Sequence, residues 1–261
     1  MTDFIIDSHA HLDDERFDGD REEIIKNLRD DKILAVINPA CDLKTSMTAV
    51  DLSKKYDNIY AMVGTHPHEA KYYDKETRER YKSLAKEGKV VAVGEIGLDY
   101  YYDYSDRETQ KRVFIDQIDL AKELGLPIVI HSRDAVEDTY EILKEHAIGM
   151  KVLLHAFSES WEVCQRYLKL GFKIALGGVI TFKNARKLLL VGENIGLDSL
   201  LFETDSPYLT PTPYRGKRNQ PAYTHYVADK IADLKGVDPS EVRKACLDNT
   251  IEFFGLDGLD L

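Results

Sequence analysis

The sequence predicts an α/β protein built as a single-domain (β/α)8 barrel of the TIM type, spanning residues 1–261. Three observations carry that expectation. The chain has 261 residues, a usual length for one such barrel. Eight short apolar runs recur along it, and helical patterns separate them. The runs are 4–7, 33–38, 59–64, 90–94, 127–130, 151–154, 172–176 and 199–203, with starts 21 to 37 residues apart. One strand with its crossover helix takes about 30 residues. Runs this short and this apolar suit buried parallel strands.

The helical segments have their own signals. Ser105-Asp106-Arg107-Glu108 has the form of a capping box, opening a helix with Phe114, Ile118 and Ala121 on one face. Gly125 and Pro127 stop it. Val136, Tyr140 and Leu143 repeat at helical spacing, as do Val227, Ile231 and Leu234. Asp238-Pro239-Ser240-Glu241 opens the last helix, with proline at its first position. A doubly wound open sheet is the rival architecture. It would carry a Gly-rich turn after the first strand, and none follows Asp7.

Composition narrows the class. With 43% hydrophobic residues the chain can bury a full core. Lys and Arg total 35 against 46 Asp and Glu, a net charge of −11. A protein that grips nucleic acid through a generally basic surface is thereby excluded, whereas an enzyme whose bound metal ions create a local positive site is not. Three cysteines at wide spacing, Cys41, Cys164 and Cys246, fit neither a disulfide framework nor a cysteine zinc cluster. They read as small buried hydrophobes in a reducing compartment. The N-terminus lacks a basic region, and the apolar run 33–37 is too short to span a bilayer. A cytoplasmic protein with no membrane association and no obligate protein partner is expected.

Chemistry enters with the histidines. Of eight, five (His9, His11, His66, His131 and His155) lie one to four residues past an expected strand end, positions that make up roughly an eighth of a barrel of this kind. The C-terminal strand ends form the active face of such barrels. His9 and His11, two apart, share a face with Asp7. Glu95 ends the fourth strand, His131 the fifth, His155 the sixth, and Asp205 the eighth, with Glu203 at the same parity. Buried carboxylates without partners would be costly. A divalent metal pair offsets that cost and accounts for the mixture of acids and imidazoles.

These residues sit in a succession of short motifs. They are Asp7-Ser8-His9-Ala10-His11-Leu12, Gly64-Thr65-His66-Pro67-His68, Gly94-Glu95-Ile96-Gly97-Leu98-Asp99, Ile130-His131-Ser132-Arg133, His155-Ala156-Phe157-Ser158, Glu203-Thr204-Asp205-Ser206-Pro207-Tyr208 and Arg215-Gly216-Lys217-Arg218-Asn219. In this order they resemble the motifs of the TatD family of metal-dependent deoxyribonucleases, amidohydrolase-like TIM barrels, over essentially the whole chain. The resemblance implies one metal ion on His9, His11, Glu95 and Asp205 and a second on Glu95, His131 and His155. The sequence departs from the family at Ala156 and Glu159, neither a ligand position.

The expected activity is hydrolysis of DNA phosphodiester bonds, as an exonuclease on single strands, by a water activated between two divalent cations. Zinc, manganese, magnesium and iron all suit the donors. Glu95 has two oxygens with which to bridge the ions, and Asp205 is the candidate to take the proton of the water. His66 is expected to contact the substrate phosphate or leaving oxygen, with a supporting hydrogen bond as the plainer role. His68 is expected to face solvent. Tyr101, within the run Tyr100-Tyr101-Tyr102-Asp103-Tyr104, could stack unpaired bases, or the loop could simply pack on its neighbours. Arg215, Lys217 and Arg218 form the densest basic cluster and could hold phosphate, the alternative being a solvated charge run. The alternative activity is a D-aminoacyl-tRNA deacylase or another ester or amide hydrolase using the same metals. A non-catalytic metal-binding scaffold is the third reading.

Overall fold

A computed structural model describes residues 3–256, 258 and 259. Met1 and Thr2, which begin the segment read above for a targeting signal, lie outside them. Eight strands form one sheet in chain order: β1 (Ile5–Asp7), β2 (Ile33–Asn38), β3 (Ile59–Val63), β4 (Val90–Asp99), β5 (Ile128–Arg133), β6 (Val152–Leu154), β7 (Lys173–Leu176) and β8 (Leu200–Phe202). Nearly every strand residue is buried, the pattern of parallel strands covered on both faces. The sequential order, the alternation with helices and the approach of β8 to β1 make this the expected (β/α)8 barrel. Among the described residues no helix is long and apolar enough to cross a membrane.

The chain divides into two compact units, each carrying four strands. The first comprises residues up to Asn38, His155–Leu168 and residues from Lys173 onward. In it β1 pairs with β2 and β7 with β8, all parallel. The Ser8 N–H donates to the Phe202 carbonyl at 3.0 Å, and an isolated bridge joins Ala10 to Ser206. The loops after β1 and β8 are thus stitched together.

The second unit comprises Pro39–Leu154 and Lys169–Phe172 and holds β3 to β6 in parallel register. Its core gathers Val50, Val63, Tyr81, Val113 and Leu120. Strand β4 runs well past the expected end at Gly94. Between Val93 and Ile96 it spends three residues where β5 spends two, from Ile128 to Ile130. Such a bulge redirects side chains and recurs beside active sites. Glu95 sits in it. The glycines around it are forced by close approach: a Cβ on Gly94 would lie 2.9 Å from Val129 Cβ, and one on Gly97 (φ +140°) would collide with the His131 carbonyl.

The helix over Arg107–Leu124 starts one residue later than the motif implied. Asp106 is the cap, accepting from the Thr109 N–H at 3.0 Å. Ser105 turns away and donates to the His68 carbonyl at 2.9 Å. The final helix, Pro239–Phe254, is capped by Asp238, as read from its proline.

Candidate metal centre

The first unit brings His9, His11 and Asp205 together, with one donor atom from each within 4.8 Å of the others. Nε2 of His11 lies 3.5 Å and Nε2 of His9 3.8 Å from Asp205 Oδ1. A second triad in this unit joins His9 to His155 and Glu203, with the His9 and His155 rings stacked at 4.0 Å. Glu203 was noticed in the sequence only for its parity. It is fully buried, its Oε1 accepting from the Ala156 N–H at 2.5 Å. Its Oε2 has no hydrogen-bond partner among the described residues.

The backbone that carries Asp205 is tightly held. Asp205 adopts a left-handed conformation (φ +54°), which aspartate tolerates better than most residues. Its N–H donates to the His9 carbonyl at 2.9 Å. Asp7 is a clamp, not a donor to the cluster: it accepts from Thr204 N–H at 2.9 Å and from Thr204 Oγ1 at 2.6 Å. Asn219 completes the frame, donating to the Thr204 and Tyr208 carbonyls at 2.8 and 2.6 Å. The last residue of the basic motif therefore supports the loop of Asp205. The cations of that motif have neighbours of their own. Arg218 makes a two-pronged pair with Asp20 at 2.8 and 2.5 Å, Arg215 lies 4.2 Å over the Phe182 ring, and Lys217 is 5.7 Å from the Tyr214 ring.

In the second unit Glu95, His131 and His66 form a comparable triad, donors again within 4.8 Å. His131 Nε2 lies 3.0 Å from Asp99 Oδ2, which leaves its Nδ1 toward Glu95 Oε2 at 3.7 Å. A carboxylate behind an imidazole fixes its tautomer and its aim. Asp99 is that carboxylate, and its Oδ2 also meets His68 Nε2 at 3.1 Å. His68 is therefore turned onto Asp99, contrary to the expectation that it faces solvent. His66 begins a short 3-10 turn and its Nδ1 accepts from the His68 N–H at 3.2 Å. Cys41 is half-buried and donates its thiol toward Glu95 Oε1 at 3.5 Å, whereas Cys164 and Cys246 are buried as expected.

Electrostatics tests the fit of a cation. Burial pushes Glu203 up to about 8, with Asp205 adding to it, and burial likewise pushes Asp7 up to about 7 despite its bonds to Thr204. Without a cation Glu203 therefore keeps its proton in a buried volume that it shares with the His9 and His155 imidazoles. Asp99, opposed by burial, is nonetheless held well below the usual carboxylate range by His131 and His68. Burial, then His131, holds His66 well below ordinary imidazole, so its ring is neutral. Neutral imidazoles and buried carboxylates are the donor set of a divalent transition metal.

The comparisons agree with this chemistry. The family model described as TatD related DNase matches residues 6–255. The chain belongs to the TatD family. It is thus a metal-dependent hydrolase of that family. It is 43% identical over 254 residues to an uncharacterized metal-dependent hydrolase, YabD, of Bacillus subtilis, covering 97% of this chain and 100% of that protein. It is 39% identical over 259 residues to the uncharacterized metal-dependent hydrolase YcfH of Escherichia coli K12, covering 97% of each. The crystal structure of YjjV, a TatD homologue from E. coli K12, superposes with a TM-score of 0.91 at 32% identity, covering 96% of this chain and 98% of that one.

Proposed function

We propose that this protein is a deoxyribonuclease that shortens single strands from an end, acting as one catalytic domain over residues 1–261 with two divalent cations. The observation that supports it most is the convergence of His9, His11 and Asp205 on one ion-sized volume in a TatD-family chain. One ion is assigned to His9, His11, Glu95 and Asp205 and the other to Glu95, His131 and His155, the shared role of Glu95 following from the family resemblance. Bound there, zinc, manganese, iron or magnesium would supply Lewis acidity and an acidified water.

The remaining roles belong to side chains. Asp205, with two carboxylate oxygens, is the general base that accepts the proton of the attacking water. Because His66 Nδ1 accepts from the His68 N–H, the neutral ring carries its proton on Nε2. That N–H is the donor to a phosphate oxygen or the departing oxygen. Asp99 aims His131, and Tyr101 lies on the loop next to Asp99. Of the basic cluster, Arg215 and Lys217 remain the cations for phosphates beyond the scissile one, since Arg218 is committed to Asp20.

A substrate panel tests the reading: an end-labelled single strand, D- and L-aminoacyl-tRNA and a small ester. Metal-dependent shortening of the strand is expected. Selective release of D-amino acids would replace DNA hydrolysis with ester hydrolysis at the same metals, and turnover of none would leave a metal-binding scaffold.

A further inference from the structure

We propose that the loop following β4 is a base-stacking platform, taking one unpaired nucleobase of the DNA strand beside the cluster of His66, Glu95 and His131. The inference rests on the DNA-hydrolase reading above and deepens it by naming the part of the substrate that this loop holds. Tyr101, Tyr102 and Tyr104 are 57%, 45% and 57% exposed. Single exposed aromatics need no explanation, but these three are arranged. Tyr102 and Tyr104 stack with centroids 5.2 Å apart and planes within 22°, and Tyr101 meets Tyr102 edge-on at 4.8 Å. The Arg133 guanidinium lies 3.9 Å over the Tyr101 ring and 4.9 Å from that of Tyr102.

The backbone beneath the rings is pinned. Asp99 Oδ1 accepts from the N–H groups of Tyr101 and Tyr102 at 3.1 and 3.0 Å. Lys71 Nζ donates to the Tyr104 carbonyl at 3.1 Å. Buried Gln110 donates to the carbonyls of Asp99 and Ser105 at 3.0 and 2.8 Å. A surface ordered in advance loses little entropy when a flat ligand settles on it. The other oxygen of the same Asp99 carboxylate holds His131, 3.0 Å away, and His68, 3.1 Å away. The His68 ring in turn sits edge-on to Tyr104 at 4.9 Å and to Tyr102 at 5.4 Å. Platform and candidate ligand are therefore fixed by one side chain.

The chemistry selects the occupant. Stacked phenol rings offer π-faces that any base can match, and they recur where unpaired strands are bound. Arg133 over the rings of Tyr101 and Tyr102, and Lys71 at the Tyr104 carbonyl, place cations beside the platform, as alternating bases and phosphates require. In a chain of net charge −11 such a local cation supply is unusual.

The test is a double-mutant cycle between ring and base. Dissociation constants are measured by fluorescence anisotropy for labelled oligodeoxynucleotides that are intact or abasic at each terminal position in turn. Wild type should bind the intact strand about 5- to 150-fold tighter than the abasic strand at one position, the range a single stacked base supplies. Tyr102→Ala/Tyr104→Ala should bind both at the abasic level, and Tyr102→Phe/Tyr104→Phe should restore the preference. No preference in wild type at any position, or an equal loss on both strands in the alanine variant, would overturn the platform. A wild type that prefers the base but leaves DNA uncut would overturn the nuclease reading alone; one that cuts intact and abasic strands without preference would overturn the platform alone.

Discussion

Asp99 serves the imidazoles of His131 and His68 and the N–H groups of Tyr101 and Tyr102 with one carboxylate, and residues of this kind carry the sharpest predictions. Asp99→Asn keeps the shape but removes the anion behind His131, so affinity for the metal on that side should fall about 10- to 100-fold, read by metal titration. Circular dichroism should remain that of the wild type. Asp205→Asn separates base from ligand: it still offers an oxygen but cannot take a proton, so kcat should fall about 10²- to 10⁴-fold while metal content largely survives. Near-normal turnover would remove Asp205 from the role of base. His9, His11, Glu95, His131, His155 and Asp205 could be singled out in the sequence because imidazoles and acids at strand ends contradict an apolar core. The structure gathers His9, His11 and Asp205 in one triad and Glu95 and His131 in another, with His155 beside His9 and Glu203. Asp99, Glu203 and Asn219 were not assigned roles, because their partners (His131, the Ala156 N–H and the Thr204 carbonyl) lie 15 to 47 residues away. Local sequence does not encode which of many carboxylates and amides will find such partners.

At the scale of elements, the helix over Arg107–Leu124 does more than cover the sheet. Gln110 and Gln117, seven apart and buried, each pair with both backbone groups of one residue: Gln110 with N–H and C=O of Asp99, Gln117 with N–H and C=O of Thr65 at 2.7 and 3.0 Å. One helix thereby sets the loop that carries His66 and the strand end that carries Asp99. Gln117→Leu would strand two buried backbone groups, each costing about 1–3 kcal/mol, and should lower Tm by several degrees while impairing turnover. An unchanged Tm would show that water or a neighbour replaces the amide. The signal was present: both glutamines fall on the stripe of Phe114, Ile118 and Ala121, where a polar residue must have a partner. Strand positions were legible from apolar runs. The extension of β4 to Asp99 was not, because glycine, glutamate and aspartate weaken the strand pattern where the bulge begins.

Over the whole molecule charge and protons dominate. Arg218 is tied to Asp20, so Arg218→Ala should lower stability, whereas Arg215→Ala and Lys217→Ala should each flatten the salt dependence of strand binding by about 0.7 per true phosphate contact; an unaltered slope would return the loop to a solvated charge run. In the metal-free protein Glu203, ordinarily near 4.5, is raised to about 8. The folded state therefore holds a proton that the unfolded chain releases, and this contribution is present at low pH and lost as pH rises from about 4.5 through 8. His66, lowered by burial, acts in the opposite sense at acid pH, so the readout is the Tm difference between wild type and Glu203→Gln. It should shift against wild type across that window and shrink when divalent cation is added; a pH-independent difference would contradict the buried-acid picture. The central claim, metal-dependent cleavage of DNA, is tested most directly by one time course. An end-labelled single strand is incubated with chelator-stripped protein, then with zinc, manganese, iron or magnesium restored singly. The account predicts no cleavage before restoration and stepwise shortening from one end after it. A strand left intact with every metal, or cut equally well by the stripped protein, would contradict it.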